Sequence, residues 1–145
     1  MKTQIRNAFT LIEILIVVVI MAILAATIIP QFTDSTADAE VATAEFNLNT
    51  LRAQIELYKA QHGGTVPAFD SGVITGLTTE TIHNTKSYGP YLAKMPTNTV
   101  KGSAVVTAVS GTQPIAAGNV TGTGGWLYHT VTGEIRIDHA DHVTK

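Results

Sequence analysis

The chain has 145 residues, of which 45% are apolar and only 20 charged (9 Lys and Arg, 11 Asp and Glu), 14% where a soluble domain carries about a quarter. A net charge of -2 offers no basic face to neutralise phosphates, which excludes nucleic acid as a partner, and so apolar a chain is not intrinsically disordered. With no cysteine there is no disulfide framework, no thiolate metal site and no cysteine nucleophile. Both the charges and the glycines are unevenly placed: Ile14 to Thr33 contains no Asp, Glu, Lys or Arg, and all 12 glycines fall in residues 63–145. Two materials meet near Gly63.

Residues 1–8 carry Lys2 and Arg6 and no acid, and Phe9 to Ile29 is then apolar except for Thr10, Glu13 and Thr27. About 20 apolar residues span a bilayer core as a helix. The cations precede the run and Asp34, Asp38, Glu40 and Glu45 follow it, so the positive-inside bias puts residue 1 in the cytoplasm and the rest outside. An ordinary secretory signal would have a shorter apolar core and a small-residue cleavage site, which Ala22, Ala25 and Ala26 could imitate. Such a core has no use for Glu13, whose charge costs about 2.5 kcal/mol or more inside an apolar run. Thr10-Leu11-Ile12-Glu13 also has the spacing of a helix capping box, in which Thr10 and Glu13 satisfy each other's backbone donors.

Phe9-Thr10-Leu11-Ile12-Glu13, the apolar run behind it, Pro30, and a short leader ending in a small residue resemble the amino-terminal signature of type IV pilins and type II secretion pseudopilins. The resemblance implies a leader, residues 1–8, cut by a prepilin peptidase between Ala8 and Phe9, with Phe9 becoming the N-methylated terminus. Ala8 stands where the family usually has Gly. It implies that residues 9–29 first cross the bacterial inner membrane and later form a filament core, with Glu13 reaching the amine of a neighbouring subunit and Pro30 at the end of the run. Two unpaired charges in an apolar core would each cost several kcal/mol, whereas together they compensate, so Glu13 would act as a register device for assembly. Ala22, Ala25 and Ala26 would permit close helix approach.

Beyond the apolar run, Val41, Ala44, Leu48, Leu51, Ile55 and Tyr58 recur at steps of three and four, predicting an amphipathic continuation over residues 30–62. Gly63-Gly64 is the expected stop. A helix from Phe9 to His62 would be about 80 Å long, too long for a globular domain. Its apolar stripe is expected to pack on the glycine-rich region from about residue 41. Pro30 lacks an N–H and orphans the carbonyl of Ala26, which predicts a kinked or loosened turn that Thr27 would partly compensate.

Residues 63–145 alternate short apolar runs with turn residues. Strands are predicted at Ala104–Val109, Trp126–Val131 and Glu134–Asp138, the last two joined as a hairpin through Thr132-Gly133, with Gly111 to Gly125 as loop. Some 80 residues make a small core, so the helix must contribute to it. The expected fold class is α+β, a long amino-terminal helix whose second half packs on a small antiparallel sheet. Tyr88-Gly89-Pro90-Tyr91-Leu92 with Pro96 resembles a segment of the major pseudopilins of type II secretion, where it reads as a turn with buried aromatics. Those proteins commonly bind calcium in a carboxyl-terminal loop. Calcium takes six to eight oxygens, and Asp138 and Asp141 are the candidates here. His129, His139 and His142 could be drawn as a zinc site, but that spacing near a chain end is a weak signal.

No Gly-x-Ser-x-Gly, phosphate loop or His-Glu-x-x-His occurs, so an enzyme is not expected. The resemblance implies instead a homo-oligomeric filament subunit, assembled from membrane lipid by an inner-membrane platform with an ATPase, in company with minor pseudopilins. A type IV pilin for adhesion or motility, and a single-pass membrane-anchored binding module, are the alternatives.

Overall fold

A computed structural model describes residues 9–111 and 114–144, with residues 30–34 described by their backbone alone. Helix α1 spans Leu11–Gln61. The chain divides into two compact units, Met1–Asp38 and Ala39–Lys145.

In the first unit, every residue of the 19-residue stretch Leu11–Ile29 is exposed. The helix continues through Pro30. Thr27 does not serve the orphaned carbonyl: its hydroxyl donates to Ile23 O at 3.0 Å, because a helical threonine reaches back three or four residues, and Ala26 is only one away.

In the second unit α1 supplies one wall of the core. Ala44, Leu48, Leu51, Ile55 and Tyr58 are buried, and Val41, first in the stripe, is half-buried. Successive steps of three and four keep these side chains on one face. The helix ends in a Schellman turn: Gly64 N donates to Lys59 O at 2.8 Å, with Gly63 and Gly64 at φ +62° and +87°.

A short helix, α2 (Thr75–Thr78), and a hairpin of β1 (Thr81–His83) and β2 (Lys86–Tyr88) follow. The hairpin turns through Asn84 and Thr85, both at positive φ. The Tyr88–Pro96 segment then folds back: Tyr91 N and Leu92 N both donate to Leu77 O at 2.9 Å, and Met95 is buried. Tyr91 Oη donates to Gln61 Oε1 at 2.6 Å, tying this segment to the end of α1.

The main sheet has three strands in the order β3 (Val106–Val109), β4 (Trp126–His129), β5 (Ile135–Ile137). β4 and β5 form the expected antiparallel hairpin, but β3 runs parallel to β4, so the sheet is mixed and not wholly antiparallel. A parallel pair needs a crossover of a dozen or more residues, and residues 110–125 provide one. Strand alternation sends Trp126 and Tyr128 of β4 into the core against α1, while Leu127 joins Val109, Ile115 and Val143 in a second cluster. The polar atoms of the two core aromatics of β4 are paired: Trp126 Nε1 donates to Pro96 O at 2.9 Å and Tyr128 Oη to Pro67 O at 2.8 Å. Gly125 lies so close to its neighbour that a Cβ there would sit 2.1 Å from Ser103 O.

Leu51, fully buried in the α1 stripe, is expected to cost about 2–5 kcal/mol as Leu51→Ala. Phe46 on the same helix is 71% exposed, and Phe46→Ala should fall within about 0.5 kcal/mol. Unfolding of the detergent-solubilised chain followed by Trp126 fluorescence checks both.

Candidate functional site

The amino-terminal segment is built around the start of α1. Thr10 immediately precedes the helix, and its N–H would otherwise have no partner in the first turn. Glu13 supplies one: Thr10 N donates to Glu13 Oε2 at 2.7 Å, Thr10 Oγ1 donates to the same oxygen at 2.8 Å, and Glu13 N donates back to Thr10 Oγ1 at 3.3 Å. This is a complete capping box, formed within a single chain and fully open to its surroundings. Glu13 Oε2 is therefore committed to Thr10. Phe9, just before the box, is 82% exposed. Ala8 lies outside the described residues, as does the rest of the 1–8 leader; Pro30 is described only as part of the helical backbone.

Behind the box, large apolar side chains from Leu11 to Ile29 are exposed on every face of the helix, at 45% to 84%. A helix apolar all round belongs in lipid or inside an assembly. By length and composition, Leu11–Ile29 can cross a membrane. The segment thus combines one acid held at the helix start with a surface that excludes water.

Residues 4–29 match the family model described as a prokaryotic N-terminal methylation motif. The segment is similar to a type IV pilin signal. Ala8, Phe9 and Glu13 lie inside it, and Pro30 falls one residue beyond. Over 59 residues the chain is also 39% identical to the Type II secretion system core protein G of Pseudomonas aeruginosa, a match covering 41% of this chain and 42% of that protein. The chain therefore spans less than half the length of that curated relative. No solved structure matches it.

The carboxyl-terminal acids and histidines are not brought together as a metal centre. Asp138 is buried and Asp141 exposed. Asp138 accepts hydrogen bonds from Thr121 N and Gly122 N on Oδ1, at 2.8 and 3.0 Å, and from Thr121 Oγ1 and Gly124 N on Oδ2, at 2.6 and 3.0 Å. Calcium needs oxygens that turn lone pairs toward it, and the groups converging here are N–H and O–H donors, so the residues do not fit that ion. His129 is buried with Nε2 at 3.2 Å from Gly111 O, while the rings of His139 and His142 lie tilted at 33° with centroids 5.1 Å apart. No group of three or more His, Cys, Asp or Glu converges on a common point among the described residues.

Sequence reasoning missed this role for Asp138, because its donors are mostly backbone groups of a loop. Nor did it reveal the cluster at the end of α1, where His62 stacks on Tyr58 with centroids 3.8 Å apart and its Nε2 lies 3.0 Å from Thr81 Oγ1. The run of aromatics and histidines at 58, 62, 83, 88 and 91 is the only trace it leaves in the sequence.

Burial alone would push the Asp138 carboxyl up, but its four hydrogen bonds outweigh this and hold it below the ordinary 3.8. The unfolded chain therefore takes up the proton first as pH falls. The stabilisation is complete above the unfolded value and is lost as pH drops through the folded one. Thermal unfolding between neutral and strongly acid pH should show this loss, and Asp138→Asn should flatten that limb while lowering stability at neutral pH.

Proposed function

We propose that this chain is the structural subunit of a pilus-like filament, most closely a type II secretion pseudopilus that drives protein export, and that it is not an enzyme. The reading rests on one observation above all: the match to the methylation motif over residues 4–29 falls on a helix whose large apolar side chains from Leu11 to Ile29 are exposed. The similarity to the secretion core protein G favours the pseudopilus branch over a surface pilus.

In this reading the precursor sits in the inner membrane with residue 1 in the cytoplasm and the carboxyl-terminal unit in the periplasm. Prepilin peptidase cuts between Ala8 and Phe9, and the new amine of Phe9 is methylated. The cut places a positive charge four residues from Glu13. On one helix this pair would be a weak end contact. Across two subunits in an apolar core it holds the axial register, because either charge alone is unfavourable there. Filament growth then exchanges lipid for helix, with Ala22, Ala25 and Ala26 allowing close approach and Pro30 marking the end of the packed run. An inner-membrane platform with its ATPase and minor pseudopilins would act on the subunit from outside this sequence.

The capping box supplies a control that separates the two uses of Glu13. Glu13→Ala should leave leader removal intact but reduce filament incorporation roughly a hundredfold or more, the equivalent of about 3–5 kcal/mol for an uncompensated buried charge. Thr10→Ala removes the two bonds made by the Thr10 hydroxyl, leaving only the Thr10 N–H to Glu13 Oε2, yet keeps the carboxylate, and should still assemble. Normal filaments from Glu13→Ala would return that acid to capping alone. Mass spectrometry of the membrane-extracted protein should find a chain beginning at N-methylated Phe9; an intact Met1, or a cut after Ala26, would overturn the reading.

A further inference from the structure

Three acids follow Glu80 in the sequence, Glu134, Asp138 and Asp141. Two of them are turned inward onto the crossover loop between β3 and β4. Glu134 Oε2 accepts Ile115 N at 3.0 Å near the start of the loop, while its Oε1 pairs with Arg136 Nε at 2.9 Å. At the other end, Asp138 accepts Thr121 N, Gly122 N, Gly124 N and Thr121 Oγ1. A carboxylate offers about four lone-pair sites, so four donors use them up. The closure is reinforced by the backbone, since Asp138 N donates to Gly125 O at 3.1 Å and Asn98 Nδ2 donates to the same oxygen at 2.7 Å. Asp141, the third acid, has a side chain 83% exposed, with Oδ2 3.8 Å from His139 Nδ1.

A cation-bound loop has the opposite polarity. Its carbonyls and carboxylates face inward on a positive ion, whereas here N–H groups face inward on a negative one. A divalent ion could reach the Asp138 carboxylate only by displacing donors that would then be left unpaired beside a buried strand end. We propose that Glu134 and Asp138 clamp the 115–124 loop internally, and that this clamp stands in place of the calcium that pseudopilin-like carboxyl-terminal loops commonly hold. The unit formed by residues 39–145 then folds and keeps its loop ordered without a divalent cation, whatever the role of the amino-terminal segment.

The test uses the full chain in detergent, with unfolding followed by the fluorescence of Trp126, the single tryptophan. Wild type is expected to melt within about 1 °C of the same midpoint in excess chelator and in about 10 mM calcium, a concentration above the ~1 mM dissociation constants of weak extracellular sites. Asp138→Asn should lower the midpoint by about 5–10 °C, with no recovery on adding calcium. Hydrogen exchange should show the amides of Thr121, Gly122 and Gly124 protected in chelator and deprotected in Asp138→Asn. Should that variant not fold, Glu134→Gln, expected to deprotect Ile115 N, takes its place. A saturable rise of several degrees with calcium in wild type, or loss of the three amide protections in chelator, would overturn the clamp.

Discussion

Fourteen large apolar side chains between Leu11 and Ile29 remain 45% to 84% exposed. At about 1.5–3 kcal/mol for each such side chain fully buried, covering what is left open is worth on the order of 10–20 kcal/mol. That equals or exceeds the 5–15 kcal/mol by which a whole domain is ordinarily stable. The surroundings of this stretch therefore decide the state of the molecule more than any contact within it. Lipid and a bundle of like helices are both apolar enough to serve. The difference between them lies in packing and in how the few polar groups are matched, which gives the single acid near the start of the run its weight.

The carboxyl-terminal unit solves the opposite problem, that of making a core from few residues. It borrows the stripe from Ala44 to Tyr58 as one wall and sets Trp126, Tyr128, Ile135 and Ile137 against it. Three side chains inside find distant backbone partners: Pro96 O for the indole, Pro67 O for the Tyr128 hydroxyl and Gly125 O for Asn98. Long-range hydrogen bonds of this kind join segments far apart in sequence. They hold in place loops that have little regular structure of their own.

What could be read in the sequence followed from periodicity. The α1 stripe was legible because burial on one face of a helix repeats every 3.6 residues, and the Gly63-Gly64 stop because a Schellman turn needs positive φ. The β4–β5 hairpin was legible from its Thr-Gly turn, with strand ends one or two residues short of those expected. The direction of β3 was not, since nothing local records which way a crossover returns. Strands β1 and β2 have three residues each, too few for alternation to register. At the amino terminus the spacing of Thr10 and Glu13 announced the capping box in full, while the role of Asp138 stayed hidden because backbone N–H groups have no letter in the sequence.

Val143 is fully buried in the cluster with Val109, Ile115 and Leu127. The second core therefore cannot close until Val143 has been made. Synthesis proceeds from the amino terminus at about 5–20 residues per second, so Ile29 emerges on the order of ten seconds before Val143. Throughout that interval the apolar stretch is complete and the carboxyl-terminal unit is not. The two halves of the molecule thus meet their environments in a fixed temporal order: the amino-terminal stretch has to be received by an apolar medium while its carboxyl-terminal unit is still an unfinished chain.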